Sequence, residues 1–562
     1  MRSLPSDGLS FSSWPWIDIE PHYEALINAE LNTNSLHDWL RSWSELANLI
    51  SERGSRHYVA TSVNTADLGA KAAYESFLDE IFPKVQQFEE KLRSKLLDSG
   101  LSSPGLEVPL RNLSAQSNLY REDNVPLLAE QYKLNNRFDQ IAGSQTVVWE
   151  GEEIPLSKLA RYEENADRGT RERAWRLGIN RRLEDREQLN ALWVEFFELR
   201  KKIASNAGKS SFRDYIWDEL LRFDYTPQDC ATFRESIRTV VVPLAKRIYE
   251  ERREALNLDS LRPWDVDAVS EQPLRPFATC DELDSGCSRI FARLDADLSA
   301  YYEDMRQAGL LDLDSRKNKA PGGYCTNFDA VKKPFIFMNA SGAHDDVQTL
   351  LHEAGHAFHV YESANLPYHV QLAYTSEIAE VASMSMELLA APYLDEFYVP
   401  KDVARARKKH LEKIVLFWPY MAVVDGFQHW AYQNPERAIV SNECDKAWSE
   451  LWDQFMPGID YTGLEAEKAT GWHRKLHIFQ GPFYYVEYGM AQLGALQVWR
   501  NSLSDPGGAM KQYRQALSLG GSQTLPELFA SAGARFSFDE ATIRACVGLI
   551  EKTLAELNGE LS

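Results

Sequence analysis

The sequence predicts a mostly α-helical protein with a small β-sheet set just before one buried, histidine-bearing helix. Three observations lead there. Apolar residues recur at helical spacing over most of the 562 residues. The clearest β pattern, residues 322–328 followed by 334–338, stands immediately ahead of residue 344. Four of the twelve histidines, His344, His352, His356 and His359, then fall within sixteen residues.

The composition is that of a globular protein, 44% hydrophobic and 26% charged. The length predicts two or more subdomains. A formal net charge of −22 argues against nucleic-acid or anionic-membrane partners. No apolar run reaches transmembrane length, and the first eight residues lack the apolar core of a signal peptide. Cys230, Cys280, Cys287, Cys325, Cys444 and Cys546 are widely spread and form no C-x-x-C pair. They read as mostly free thiols in a reducing cytoplasm.

Along the chain, residues 20–100 read as two or three amphipathic helices, with Trp39, Leu40, Trp43, Leu46, Leu49 and Ile50 on one face. Ser103-Pro104-Gly105 and Val108-Pro109 form a break, and helical pattern then continues to about 145. Val147 to Pro155 reads as a hairpin around Gly151. From Arg161 to about Asn206 the chain is charged and helical, with Arg interleaved with Glu and Asp. That pattern predicts a solvated face laced with ion pairs rather than a basic patch. Gly208-Lys209-Ser210-Ser211 lacks the earlier glycine of a phosphate loop. Residues 227–313 give further helices interrupted by Pro263, Pro273 and Pro276. A boundary near residue 165 separates an N-terminal helical region, 1–165, from the remainder, 166–562.

The two strands of 322–338 turn around Ala330 to Lys333. Pro334 opens the second strand, which suits an edge, and an exposed edge could pair with extended peptide backbone. Next comes a helix, with Asp345 and Gln348 as its capping box and Val347, Leu350, Leu351, Ala354 and Phe358 as its apolar stripe. It carries His352-Glu353-x-x-His356. Residues four apart share a helix face, so both imidazoles can reach one metal ion, with the Glu353 carboxylate beside the open coordination position. The pattern is the signature of a zinc peptidase whose Glu is the general base.

A third ligand is needed. Glu362 lies six residues past His356, but the class that uses that spacing turns back at a glycine, and His359 stands there. The better source is a second helix beginning at Thr375 or Ser376. Its Glu377, Glu380 and Glu387 share one face. A solvated helix start suits Glu377 and does not suit Glu380, which is flanked by Ala379, Val381 and Ala382.

The His352-Glu-Ala-Gly-His356-Ala-Phe-His run, with Glu380 in Ile-Ala-Glu-Val-Ala-Ser twenty-eight residues after His352, resembles the oligoendopeptidase F and thimet oligopeptidase family of zinc metallopeptidases. The resemblance runs from roughly residue 147 to the C-terminus. It implies one zinc held by His352, His356 and Glu380, with Glu387 orienting a histidine. It also implies a zincin-like fold of two helical halves around a deep channel, with the catalytic domain in 166–562 and no catalytic residue in 1–165.

Downstream, His473 and His477 precede Gly481-Pro482 and the tyrosines Tyr484, Tyr485 and Tyr488. Dense aromatics are usually core, yet tyrosine hydroxyls with an imidazole suit an oxyanion. The same family has a His followed by two tyrosines three apart. The matching residues are His477, Tyr485 and Tyr488, with Tyr488 as oxyanion donor, Tyr484 as its rival in register and His473 as a spare. Thr524 with Glu527 and Ser537 with Glu540 read as capping boxes of the terminal helices. The implied activity is endopeptidase cleavage of oligopeptides, with Glu353 as base. A related carboxypeptidase or dipeptidyl carboxypeptidase is the alternative, and a binder without catalysis would have no need of Glu353.

Overall fold

The computed structural model describes residues 2–163, 165–268 and 272–561. They fall into two compact units, each drawn from three stretches of chain. One comprises Met1–Ser117, Leu274–Ala406 and Ala491–Phe536; the other comprises Asn118–Pro273, Arg407–Met490 and Ser537–Ser562. Helices dominate both.

In the first unit the long helix Leu36–Val63 buries Trp39, Leu40, Trp43, Leu46, Leu49 and Ile50, the face expected from the sequence. Val108-Pro109 is not part of the break. It lies in the first turn of the helix Glu107–Leu119, where a proline's missing N–H is not needed. In the second unit β1 (Thr146–Trp149) pairs antiparallel with β2 (Glu152–Pro155). Glu150 and Gly151 turn the chain with φ of 53° and 91°, as a two-residue hairpin requires.

The sheet of the first unit has three strands: β3 (Leu311–Asp314), β4 (Tyr324–Phe328) and β5 (Lys333–Ala340), in the order β3-β5-β4. β5 is therefore central, not the exposed edge that Pro334 suggested. β3 pairs with β5 in parallel from Leu311 opposite Ile336 onward, so Pro334 lies before that pairing begins. The proline's missing N–H thus removes nothing from the β3 ladder. The two edges belong to β3 and β4, and β4 pairs antiparallel with β5.

The histidine helix (His344–Ser363) follows. Its cap differs from the expected Asp345 and Gln348. Ala343 stands at the N-cap and has no side-chain acceptor, so the Asp346 carboxylate takes the N–H groups of Ser341 and Ala343 at 2.7 and 2.8 Å. The apolar stripe Val347, Leu350, Leu351, Ala354 and Phe358 is fully buried, against Ile336 and Met338 of β5 among others. Each of the four larger side chains contributes roughly 1.5–3 kcal/mol, so the helix is held by its core face.

The glutamate helix (Ser376–Ala390) crosses it at Gly355. A Cβ there would stand 2.6 Å from both the Ala382 carbonyl oxygen and the Ser383 Cα. These are backbone atoms that cannot swing aside, so the glycine permits the close approach that brings Glu380 to the histidines. Gly355→Ala should cost about 1–3 kcal/mol through overpacking and lower the metal content of the purified protein. Thermal melting with metal analysis checks this. An unchanged Tm and full metal content would show that the crossing tolerates a methyl group.

At the terminal helices, Thr524 and Glu527 form the expected box, with the Glu527 carboxylate accepting from the Thr524 N–H at 2.9 Å. At the last helix (Glu540–Leu561) Asp539, not Ser537, accepts from the Thr542 N–H at 2.7 Å. The six cysteines are unbridged. Among the described residues no helix is long and apolar enough to cross a membrane.

Candidate active site

His352 and His356 lie one turn apart with ring centroids 5.0 Å from each other. Glu380 reaches between them, its Oε2 3.3 Å from His352 Nε2 and 3.7 Å from His356 Nε2. One ligand atom from each of the three lies within 4.8 Å of the other two. Ser383, one turn on from Glu380, donates its hydroxyl to Glu380 Oε2 at 2.9 Å. His352 Nδ1 faces Glu387 Oε1 at 2.7 Å. A proton held on Nδ1 by that carboxylate leaves Nε2, on the Glu380 side of the ring, as the atom that would face a metal.

Glu353 sits beside this group, buried, and the backbone N–H of Cys325 on β4 is directed at its carboxylate. Burial, with Glu380 and Glu387 adding to it, pushes the Glu353 pKa up to about 7. Burial likewise pushes His356 down to about 4. Burial also opposes the charge on His352, yet Glu380 and Glu387 more than offset it and hold its pKa well above the usual value. The group gathers three carboxylates around two imidazoles, an excess of negative charge that a divalent cation would neutralise.

The other candidates are engaged elsewhere. Glu362 is paired with Arg514 Nε at 2.6 Å. Glu377 is buried rather than solvated, and lies outside the three-ligand group. His344 hydrogen-bonds the Tyr398 hydroxyl at 2.7 Å, and His359 stacks on Tyr374 at 3.8 Å between centroids. Of the four clustered histidines, two converge on Glu380.

The second unit gathers the other predicted residues. His477 lies 4.9 Å from Tyr485, 6.0 Å from Tyr484 and 6.1 Å from Tyr488, ring to ring. Tyr485 is buried, while Tyr484 and Tyr488 are half-exposed. Burial, reinforced by the Lys475 charge, pushes His477 down to about 4. His473 is not in this group: its Nε2 meets Asn190 Oδ1 at 2.7 Å.

The turn before the tyrosines carries a feature that sequence reasoning missed. Phe483 is fully buried with φ of 65°, a left-handed backbone that costs a bulky residue about 1–3 kcal/mol. Its N–H donates to Gln428 Oε1 at 2.6 Å, and its carbonyl accepts from Arg222 Nη2 at 2.7 Å. Arg222 Nη2 also holds Glu487 at 2.6 Å, with both side chains buried. The two hydrogen bonds and the ion pair over-determine the turn that starts the helix Tyr485–Ser502. Gly481-Pro482 marks a turn in the sequence, but nothing local foretells that Phe483 takes the strained position.

The family model for Peptidase family M3 matches residues 161–548. The oligoendopeptidase F homolog of Mycoplasma pneumoniae is 24% identical, over 86% of this chain and 82% of its own length. The homolog from Mycoplasma genitalium is 23% identical over 80% and 79%. Among solved structures, Pz peptidase A with an inhibitor superposes with a TM-score of 0.88 at 28% identity, covering 97% of this chain and 99% of that one. The expected architecture, mostly α with a small sheet beside the histidine helix, is borne out. A family match over more than half of the chain, on a fold shared nearly end to end, establishes that this chain belongs to peptidase family M3 and is a metallo-endopeptidase.

Proposed function

We propose that the chain is a zinc-dependent endopeptidase that hydrolyses internal bonds of short oligopeptides. The observation that carries this reading is the convergence of His352, His356 and Glu380 beside Glu353. Donor atoms about 2.0–2.2 Å from a tetrahedral zinc stand roughly 3.3–3.6 Å apart. The 3.3 and 3.7 Å separations fit that spacing, and two imidazoles with one carboxylate are a catalytic zinc donor set. When bound, zinc polarises the scissile carbonyl and lowers the pKa of its water.

The protein's own groups do the rest. Glu353 accepts the proton of the attacking water and returns it to the leaving amine. Glu387 holds His352 in the tautomer that presents Nε2. The Tyr488 hydroxyl, with His477 and Tyr485, donates to the oxygen on which negative charge develops. The outer edge of β4, whose Cys325 lies beside Glu353, offers backbone groups to an extended peptide. The printed names of the relatives support oligopeptides as the substrate class. Six unbridged thiols suit a reducing cytoplasm.

The test uses the full-length protein and an oligopeptide blocked at both ends. Metal analysis should give one zinc per chain. Cleavage should be internal, stop on chelation and return on adding zinc. No cleavage of the blocked peptide, with C-terminal trimming of the same peptide left unblocked, would favour the carboxypeptidase reading, and cleavage indifferent to chelation would exclude a metal mechanism.

A further inference from the structure

Recognition of a substrate carboxylate needs a cation, and the second unit supplies a group of them. Lys475 lies two residues before His477, with its Nζ 3.9 Å from the centre of the Tyr485 ring and 5.5 Å from that of Tyr420. Tyr420 and Tyr485 stand edge to face at 6.1 Å. Arg474, next in the chain and exposed, reaches the Tyr420 hydroxyl. Arg182, in the last turn of the helix Arg168–Glu184, is near enough for the Arg474 charge to act on it.

Among the described residues no carboxylate lies within ion-pair distance of Lys475, Arg474 or Arg182. Their neighbours show how unusual this is. Arg181 is paired with Asp185 at 2.8 Å, Arg186 with Asp445 at 2.5 Å, and Arg168 and Arg171 share Asp265. Glu163 is the acidic group that acts on both Arg182 and Arg474. In a chain with 83 acidic and 61 basic side chains, three cations with no carboxylate at ion-pair distance among the described residues form a local surplus of positive charge. Burial, with Arg474 adding to it, pushes the Lys475 pKa down to about 8, and the same two causes push Arg182 down to about 10. Burial opposes the Arg474 charge too, but Tyr420 and Tyr461 more than offset it and raise its pKa, so the strain falls on Lys475 and Arg182, and an anion beside them would relieve it.

A helix C-terminus explains one basic side chain in its last turn. It does not explain Lys475 over the Tyr420 and Tyr485 rings with Arg474 at the Tyr420 hydroxyl. Nucleic acid is a poor occupant for a chain of net charge −22. We propose that Lys475, Arg474 and Arg182 form a binding subsite for a carboxylate of the peptide substrate, next to Tyr485 and His477. This rests on the proposed function, which sets Tyr485 and His477 against the substrate. The subsite makes the enzyme prefer peptides with a carboxylate at a fixed distance from the cleaved bond. That carboxylate is either a free C-terminus or an Asp or Glu side chain.

The test compares peptides of one sequence in two pairs. One pair has a free or an amidated C-terminus. The other has Glu or Gln at successive positions in a C-terminally amidated peptide. A charge-assisted hydrogen bond is worth roughly ten- to a hundredfold in affinity. The unmodified enzyme should therefore show a kcat/KM ratio of about ten or more for acid over neutral in at least one pair, and the responding pair identifies the source of the carboxylate. Lys475→Met and Arg474→Met keep much of the side-chain stem and should bring that ratio toward one. Ratios near one for every pair with the unmodified enzyme would overturn the subsite, as would variants that leave the ratio intact. Binding of the same peptides, followed by fluorescence anisotropy, separates the two readings. A protein that cleaves nothing but binds the acid peptide more tightly would refute the peptidase reading and keep the subsite. Equal binding of acid and neutral peptides without cleavage would refute both.

Discussion

Glu353→Gln should keep its zinc and its hold on peptide while turnover falls by roughly a hundred- to ten-thousandfold, the range removed with a positioned general base. The amide matches the carboxylate in size but cannot accept the proton of the attacking water. The change leaves His352, His356 and Glu380 in place, and Gln can still receive the Cys325 N–H through its carbonyl oxygen. The loss should therefore appear in kcat, with metal content and peptide Kd close to those of the parent. Burial makes the native carboxylate a better base than an exposed glutamate. Steady-state kinetics with metal analysis on the same preparation checks the expectation. Near-native kcat in a zinc-loaded Glu353→Gln protein would remove Glu353 from the proton transfer. Loss of zinc would mean that the carboxylate supports the ligands rather than the water.

Tyr488→Phe should lower kcat by roughly a hundred- to a thousandfold with little change in KM, because removing one oxyanion donor costs about that much. The donor acts when charge develops on the carbonyl oxygen, so the ground state scarcely feels its loss. Tyr484→Phe is the control. Both tyrosines are half-exposed, their rings lie 5.3 Å apart, and His477 stands about equally far from each. If the helix register presents Tyr488, the Tyr484 variant should lose far less. Aromatic packing alone would give a small effect in both, since Phe fills nearly the same volume. A severe loss confined to Tyr484→Phe would shift the donor by one helical turn.

Much of the site is legible in the sequence because its chemistry is local. Two histidines four apart on a buried helix leave few uses for their nitrogens, so His352 and His356 stand out. Glu380 is legible as a carboxylate on an apolar face, but its arrival between the histidines depends on the Gly355 crossing, a tertiary contact. Ser383 could have been noted as the residue one turn from Glu380 on the same face. The strand order is not legible. Leu311-Asp-Leu-Asp314 is four residues long, and its parallel pairing with β5 spans more than twenty residues of chain. Without β3, Pro334 reads naturally as an edge residue. The strain at Phe483 is invisible for a similar reason: Arg222 and Gln428, which hold it, lie 261 and 55 residues away.

The threefold division of each unit bears on how the protein is made. The stretch Met1–Ser117 belongs to a unit whose last part ends at Phe536. At a synthesis rate of about 5–20 residues per second, the first stretch waits roughly 20–80 s for the third to leave the ribosome. Trp39 and Trp43, and later the apolar stripe of the histidine helix, emerge into solvent well before their unit is complete. The second unit closes later still, on the helix Glu540–Leu561. A nascent chain of this design is exposed to chaperones and to aggregation for most of its synthesis, and a truncation near the C-terminus removes a structural part of a unit rather than a tail.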